Sequence, residues 1–202
     1  MVTYVGHVIS RDCDDKRDIM NHRTRFISQV NNIGKLDCVK KMRLLKAYCS
    51  NFYGSELWDL ANDSMETLDK TWRNALRRIF NLPFTSHTNI LNYIERQHTS
   101  LRIFCQRSLK FIRSCLCSRN AVVFIARHGV TYGRMRSLLG RNVQLCSEKY
   151  KCKVNDLINP NFSIRFIANV CKQYVESEMT DRSMEIAEGE RWPKHRMNSL
   201  MF

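Results

Sequence analysis

Residues 38–80 hold two apolar-periodic segments joined at Phe52-Tyr53-Gly54-Ser55-Glu56-Leu57-Trp58, and this pair limits the folds open to the chain. In the first segment Leu45, Tyr48, Cys49, Phe52 and Tyr53 follow one helical face until Gly54 interrupts the pattern. A second start follows at Asp63, with Glu66 three residues on, the spacing of a capping box. From there Met65, Leu68, Trp72, Ala75, Leu76 and Ile79 recur at helical spacing. Stepping about 100° per residue puts them on one arc, with Lys70, Arg73, Arg77 and Arg78 opposite. One face suits a core. The other offers cationic groups to solvent or to phosphate.

Composition agrees with a helical reading. The 202 residues are 44% apolar, enough for a packed core, while Gly (7) and Pro (3) are scarce. Long alternating β-branched runs are absent. The expected fold is all-α, an irregular multi-helix bundle with a short N-terminal strand or hairpin stub and a mobile C-terminal tail. Lys and Arg number 33 against 19 Asp and Glu, a net charge of +14. A balance this basic points to a polyanion, either nucleic acid or an anionic membrane. The excess recurs on helix after helix, which favours nucleic acid over a soluble protein with surplus arginine. Nine cysteines without framework spacing read as reduced thiols of an intracellular protein, in nucleus or cytoplasm. No segment reaches the roughly 20 apolar residues of a membrane span. The N-terminus has neither the charged nor the apolar region of a secretory signal.

Along the chain, residues 2–9 read as a strand or tight hairpin about Gly6. Asp12, Asp14, Asp15 and Asp18 precede a helix of about residues 15–33 with Ile19, Phe26, Ile27, Val30 and Ile33 on its apolar side and Gly34 as its stop. Four acids together suggest a metal. Complementing the helix dipole is the stronger reading, because no second carboxylate cluster completes a two-metal site. Pro83 ends the second central helix, and a short helix is expected around Ile90, Leu91 and Ile94. Thr99-Ser100 caps a longer helix in which Leu101, Phe104, Ser108, Phe111 and Cys115 share a face, with Arg102, Lys110 and Arg113 across from it. Asn120 caps a helix that stops at Gly129, and two further short helices are expected at 132–140 and 143–150. After Pro160 a last amphipathic helix uses Phe162, Phe166, Ile167, Val170, Cys171 and Tyr174. From about Glu178 the pattern dissolves into a polar tail.

Several of these stretches, in this order, resemble the region after the polymerase core of non-LTR retrotransposon reverse transcriptases. The matching elements are Tyr4-Val5-Gly6-His7, the acidic cluster before a basic helix, YGSELW at 53–58, and Asn74 with the Arg77–Arg78 pair in TWRNALRRIFNLP. Order and spacing agree across roughly residues 4–115. The resemblance implies a primer-grip-like element at Tyr4, Val5, Gly6 and His7, with Val5 where Leu is more usual. An orphan strand cut from its sheet is the favoured reading there over a working grip. It further implies a palm-end stub at 1–10, a thumb-like helical region at 11–118, a post-thumb helical extension at 119–177 and a flexible tail at 178–202. In such proteins the thumb rests on the template–primer backbone, so RNA, DNA or an RNA–DNA hybrid is the implied partner, together with a separate palm-containing chain. Candidate backbone contacts are Lys70, Arg73, Arg77, Arg78, Arg102, Lys110 and Arg113. Arg suits that role because its planar fork pairs two phosphate oxygens, a contact that sets position and not sequence.

The chemistry of catalysis is missing. The family's metal-binding pair of adjacent aspartates on a Tyr-containing hairpin has no counterpart; Asp14-Asp15 lies after Tyr4-Val5-Gly6-His7, where the family's pair comes before. The chain is expected to begin after the active site and to have no polymerase activity alone. No cofactor is expected. Cys115-x-Cys117 and Cys146-x₅-Cys152 do not match a zinc knuckle, and residues two apart on a helix diverge by about 200°. No phosphate loop or nucleophile elbow occurs. The sequence leaves three rivals: a helical protein-interaction module, an enzyme subunit active only when a separate chain supplies the palm and its aspartates, and a remnant of a mobile element without function.

Overall fold

The computed structural model describes residues 2–4, 7–9, 14–33, 36–86, 100–118, 120–133 and 136–159, and positions 165, 169, 172, 173, 176 and 177 of a later helix. The architecture is mostly helical, as composition implied. Two short strands, β1 (Val2–Tyr4) and β2 (His7–Ile9), pair antiparallel with Tyr4 opposite His7. Then come α1 (Lys16–Asn31), α2 (Cys38–Leu44), α3 (Ser64–Ile79), α4 (Ser100–Cys117), α5 (Ala121–Thr131), α6 (Leu138–Lys149) and α7 (Val154–Ile158).

Local chemistry sets the ends of these helices. Asp37 caps α2, its carboxylate accepting the Lys40 N–H at 2.9 Å. Ser137 caps α6, its hydroxyl accepting the Gly140 N–H at 3.0 Å while donating to the Gly129 carbonyl at 2.7 Å. The capping box expected at Asp63 is not made. Asp63 already has helical dihedrals and its side chain makes no cap bond. Asn62 takes over, accepting the Ser64 N–H at 2.9 Å. The far end of α3 closes on Asn81, whose positive φ of 52° is a conformation asparagine tolerates, and the Leu82 N–H returns to the Arg77 carbonyl at 2.8 Å. Of the two helices expected at 132–140 and 143–150, α6 takes the second and starts earlier, at Leu138, running unbroken through Gly140; Tyr132 is in a turn and Ser137 is the cap, so the first is not formed as expected.

All six apolar positions read on α3 are buried, as their periodicity required. The first central segment departs from its reading. After α2 the chain widens into a single π-turn over Leu45–Cys49, where the Ser50 N–H reaches back to the Leu45 carbonyl at 3.0 Å. The wider turn breaks the 100° step. Leu45, Cys49 and Phe52 stay inside, while Tyr48 and Tyr53, expected on the same face, point outward at 68% and 58% exposure. Gly54, at φ 78°, then reverses the chain into a 3₁₀ turn over Ser55–Leu57.

The core gathers around Phe26, Phe52, Trp58, Trp72 and Phe104. Phe26 stacks on Trp72 at 5.4 Å, and Phe52 meets Phe104 edge-on at 5.1 Å. Contacts between α1 and α3 advance along both together — Arg23 with Thr71, Phe26 with Trp72, Asn31 with Arg78 — so the two helices lie side by side in parallel. The same core continues through Leu109 and Ile112 of α4 to Val143, Cys146 and Leu157, so side chains from both sides of residue 118 share it. Residues 165, 169, 172, 173 and 176 are helical and exposed, one polar stripe. The apolar positions expected there, the helix at 90–94 and the tail at 178–202 lie outside the described residues.

Candidate nucleic-acid interface

Cationic side chains lie along the outer side of α3, and Arg23 and Arg78 bond across its parallel seam with α1. Within α3, Lys70 is bridged to Glu66 at 2.7 Å and Arg73 to Asp69 at 3.0 Å, both i,i+4 pairs. The Lys70 ammonium, hydrogen-bonded to Glu66, holds that carboxyl below its usual range. A phosphate would compete with these carboxylates. Arg77 and Arg78 are placed differently. Arg77 donates to the Ser86 carbonyl and to Asn74 Oδ1, each at 3.0 Å. Arg78 donates to Asn31 Oδ1 of α1 at 2.7 Å. Arg23 of α1, which the sequence reading passed over, donates to Thr71 Oγ1 of α3 at 2.8 Å. All three are held by neutral oxygens, which orient a guanidinium without cancelling its charge. Nothing in the sequence around Arg23 marks it; only its pairing with Thr71 across the seam does.

The candidates on α4 separate. Lys110 is exposed. Arg102 and Arg113, expected on a basic outer face, are instead 7% and 8% exposed, and Arg113 donates to the Asn159 carbonyl at 3.4 Å. The reason is that α4 is surrounded: it packs on α3, on the 3₁₀ turn and on α5, α6 and α7. Its buried surface runs through Phe104, Cys105, Ser108, Leu109 and Ile112, wider than one apolar stripe, and takes both arginines with it. Of the primer-grip-like positions, Tyr4 and His7 pair through their backbones, and Val5 and Gly6 lie outside the described residues.

The acids ahead of α1 hold the loop at 58–62 rather than forming a cluster. Asp18 is buried and accepts the Trp58 indole N–H at 2.8 Å. Asp15 accepts the Asp59 N–H at 2.6 Å, and Asp14 accepts from Asn62 Nδ2 at 3.0 Å. Burial raises the Asp15 carboxyl above its ordinary value, partly offset by the Asp59 N–H bond; the nearby Asp59, Asp18 and Asp14 charges add to the rise. Asp12 lies outside the described residues. Among the described residues no group of three or more His, Cys, Asp or Glu is placed to hold a metal, and no helix is long and apolar enough to cross a membrane.

No family model, curated protein or solved structure matches the chain.

The loop is gripped from the other side as well. Arg141 makes a forked bond to Asp59 Oδ2 at 2.7 and 3.1 Å. Asn142 accepts the Leu60 N–H at 2.9 Å and donates to the Trp58 carbonyl at 2.8 Å and to Ser108 Oγ at 3.2 Å. Arg107 of α4 donates to the Phe52 carbonyl at 2.6 Å and the Ser50 carbonyl at 3.0 Å; burial lowers its pKa, and the Glu56 charge opposes that. The YGSELW stretch is therefore where α1, α4 and α6 converge.

Proposed function

We propose that the chain binds nucleic-acid backbone without regard to sequence, through the α1–α3 seam, as a thumb-like region of a non-LTR retrotransposon reverse transcriptase would. The observation that carries this reading is that Arg23 and Arg78, bonded across the seam, and Arg77, bonded to Asn74 and to the loop at Ser86, are each oriented by neutral oxygens. Preset forks paired to no carboxylate among the described residues suit phosphate, the most abundant acceptor on a duplex. Lys70 and Arg73 contribute less in this reading, because their carboxylate partners must first be displaced. The order of Tyr4-Val5-Gly6-His7, YGSELW and TWRNALRRIF along the chain supports the family assignment.

The test is a salt titration of binding to a labelled RNA–DNA hybrid. Each neutralised phosphate contributes about 0.9 to the slope of log K against log[salt] on B-DNA, so Arg77→Gln/Arg78→Gln should flatten it by about two units. Lys70→Gln/Arg73→Gln should flatten it less. Exposed Arg127 and Lys153, changed together to Gln, serve as the control for general charge loss. Equal effects from all three pairs would reduce the seam to part of a diffuse positive field. A second reading, a helical protein-interaction module, draws on the exposed Leu36, just before α2, and Val39, in its first turn. Absence of binding at low salt would favour it.

A further inference from the structure

We propose that Cys105 and Cys146 form an oxidisable dithiol in the core, which hydrogen peroxide converts into a disulfide tying α4 to α6. The two helices pack directly on each other. Their contact is fixed at one point by the Asn142 amide, which donates to Ser108 Oγ at 3.2 Å. Cys146 follows Asn142 by four residues and Cys105 precedes Ser108 by three, so each thiol lies one turn along the face that makes this bond. Contacts advance along α6 as they retreat along α4, and the thiols meet: the Cys146 S–H is hydrogen-bonded to the Cys105 sulfur. Both residues are fully buried, and both are free cysteines. The dithiol stands whether or not the chain binds nucleic acid.

Hydrogen-bonded sulfurs are adjacent, the first condition for closing a disulfide. Cys105 is the attacking group. The Cys146 hydrogen bond holds its thiol below the ordinary value against the opposing effect of burial, and Lys149 and Tyr150 lower it further. Cys49, Cys115 and Cys152 differ, because burial pushes each of them up. The Cys105 thiolate attacks one peroxide oxygen, the O–O bond breaks and hydroxide leaves, giving a sulfenic acid. The Cys146 thiolate then attacks that sulfur and expels a second hydroxide as the S–S bond forms. The two thiol protons neutralise the two hydroxides, so two thiols and one peroxide give one disulfide and two waters. Peroxide reaches the pair by local opening, and the nearer helix end is that of α6 at Lys149, three residues after Cys146. The disulfide closes a loop that contains all of α5. It clamps the α4–α6 contact from which Asn142 holds the backbone of Trp58 and Leu60.

The experiment treats the full chain, under native conditions, with hydrogen peroxide or with dithiothreitol. The chain is then unfolded in an alkylating reagent and its cysteines are mapped by mass spectrometry. Peroxide should yield a cross-linked peptide joining Cys105 to Cys146, which dithiothreitol abolishes. The melting temperature of the oxidised chain should lie about 5–15 °C above that of the reduced chain, as a disulfide closing a long loop gives. Cys146→Ala should lose both effects and leave Cys105 as a sulfenic acid, captured by a dimedone probe. Cys117, exposed at the end of α4, reports that the oxidant is active. Oxidation of Cys117 with Cys105 and Cys146 both still alkylated would overturn the dithiol, and that result needs no variant. A disulfide from Cys105 to any other cysteine would overturn it too, as would an equal melting shift in the parent and in Cys146→Ala.

Discussion

Replacing Asn142 with alanine should damage this fold more than its size suggests. Asn142 is 1% exposed and its amide holds three groups at once: the Leu60 N–H, the Trp58 carbonyl and the Ser108 hydroxyl. Trp58, Leu60 and Ser108 are themselves buried, so water cannot readily replace the lost partner. Each buried polar group left unsatisfied costs about 1–3 kcal/mol, and some relaxation is expected, which gives a loss of about 2–4 kcal/mol for the variant. For a chain of this length that lowers the melting temperature by about 5–15 °C. Asn142→Leu fills the volume but leaves the same groups stranded, so it should be no better. Asn142→Asp should still accept the Leu60 N–H, yet it sets a carboxylate against the Trp58 carbonyl and should be the worst of the three. Ser108→Ala removes one weaker partner of an amide that keeps its bond to Trp58, and should cost about 1 kcal/mol or less. Urea melts followed by far-ultraviolet circular dichroism give the comparison. A loss below about 1 kcal/mol for Asn142→Ala, with Asn142→Leu equal to the parent, would refute the reasoning and leave the loop held by its contacts to Asp14, Asp15, Asp18 and Arg141.

Three further outcomes are expected. Trp72→Ala deletes the ring stacked on Phe26 and should cost about 3–5 kcal/mol in denaturant melts; a loss under about 1 kcal/mol would mean that α3 does not bury this face. Arg107→Lys keeps the charge but not the fork that reaches both Ser50 and Phe52 carbonyls, and should cost about 1–2 kcal/mol in the same melts. Asp15 has a folded-state pKa raised above 3.8, so its stabilising contribution is present below that pH and is lost as pH rises through the folded value. Asp15→Asn, which keeps the acceptor for Asp59 and loses the charge, should therefore gain on the parent as pH is raised from 3 to 7; a gain that shrinks over that range contradicts the assignment.

The sequence by itself determined what depends on neighbours within a helical turn or two. The apolar arc of α3 was legible at every position from Met65 to Ile79, because backbone hydrogen bonding fixes the angle between residues and burial follows that angle. Lys70, Arg73, Arg77 and Arg78 were legible as its outer side for the same reason. Periodicity failed where the helix itself changed: the π-turn at Leu45–Cys49 turned Tyr48 outward and the helix ended at Ser50, before Tyr53, and nothing in their spacing announces either. It also failed on α4, where helices pack on several sides and burial no longer stops at the apolar stripe, so Arg102 and Arg113 went inside. Tertiary structure alone decided the bonds that assemble the centre. Asn142 meets Leu60 across 82 residues, Arg107 meets Phe52 across 55, and Arg23 meets Thr71 across 48. Such pairs leave no local trace, because each partner is an ordinary polar residue until the core brings them within reach and removes the water that would otherwise satisfy them.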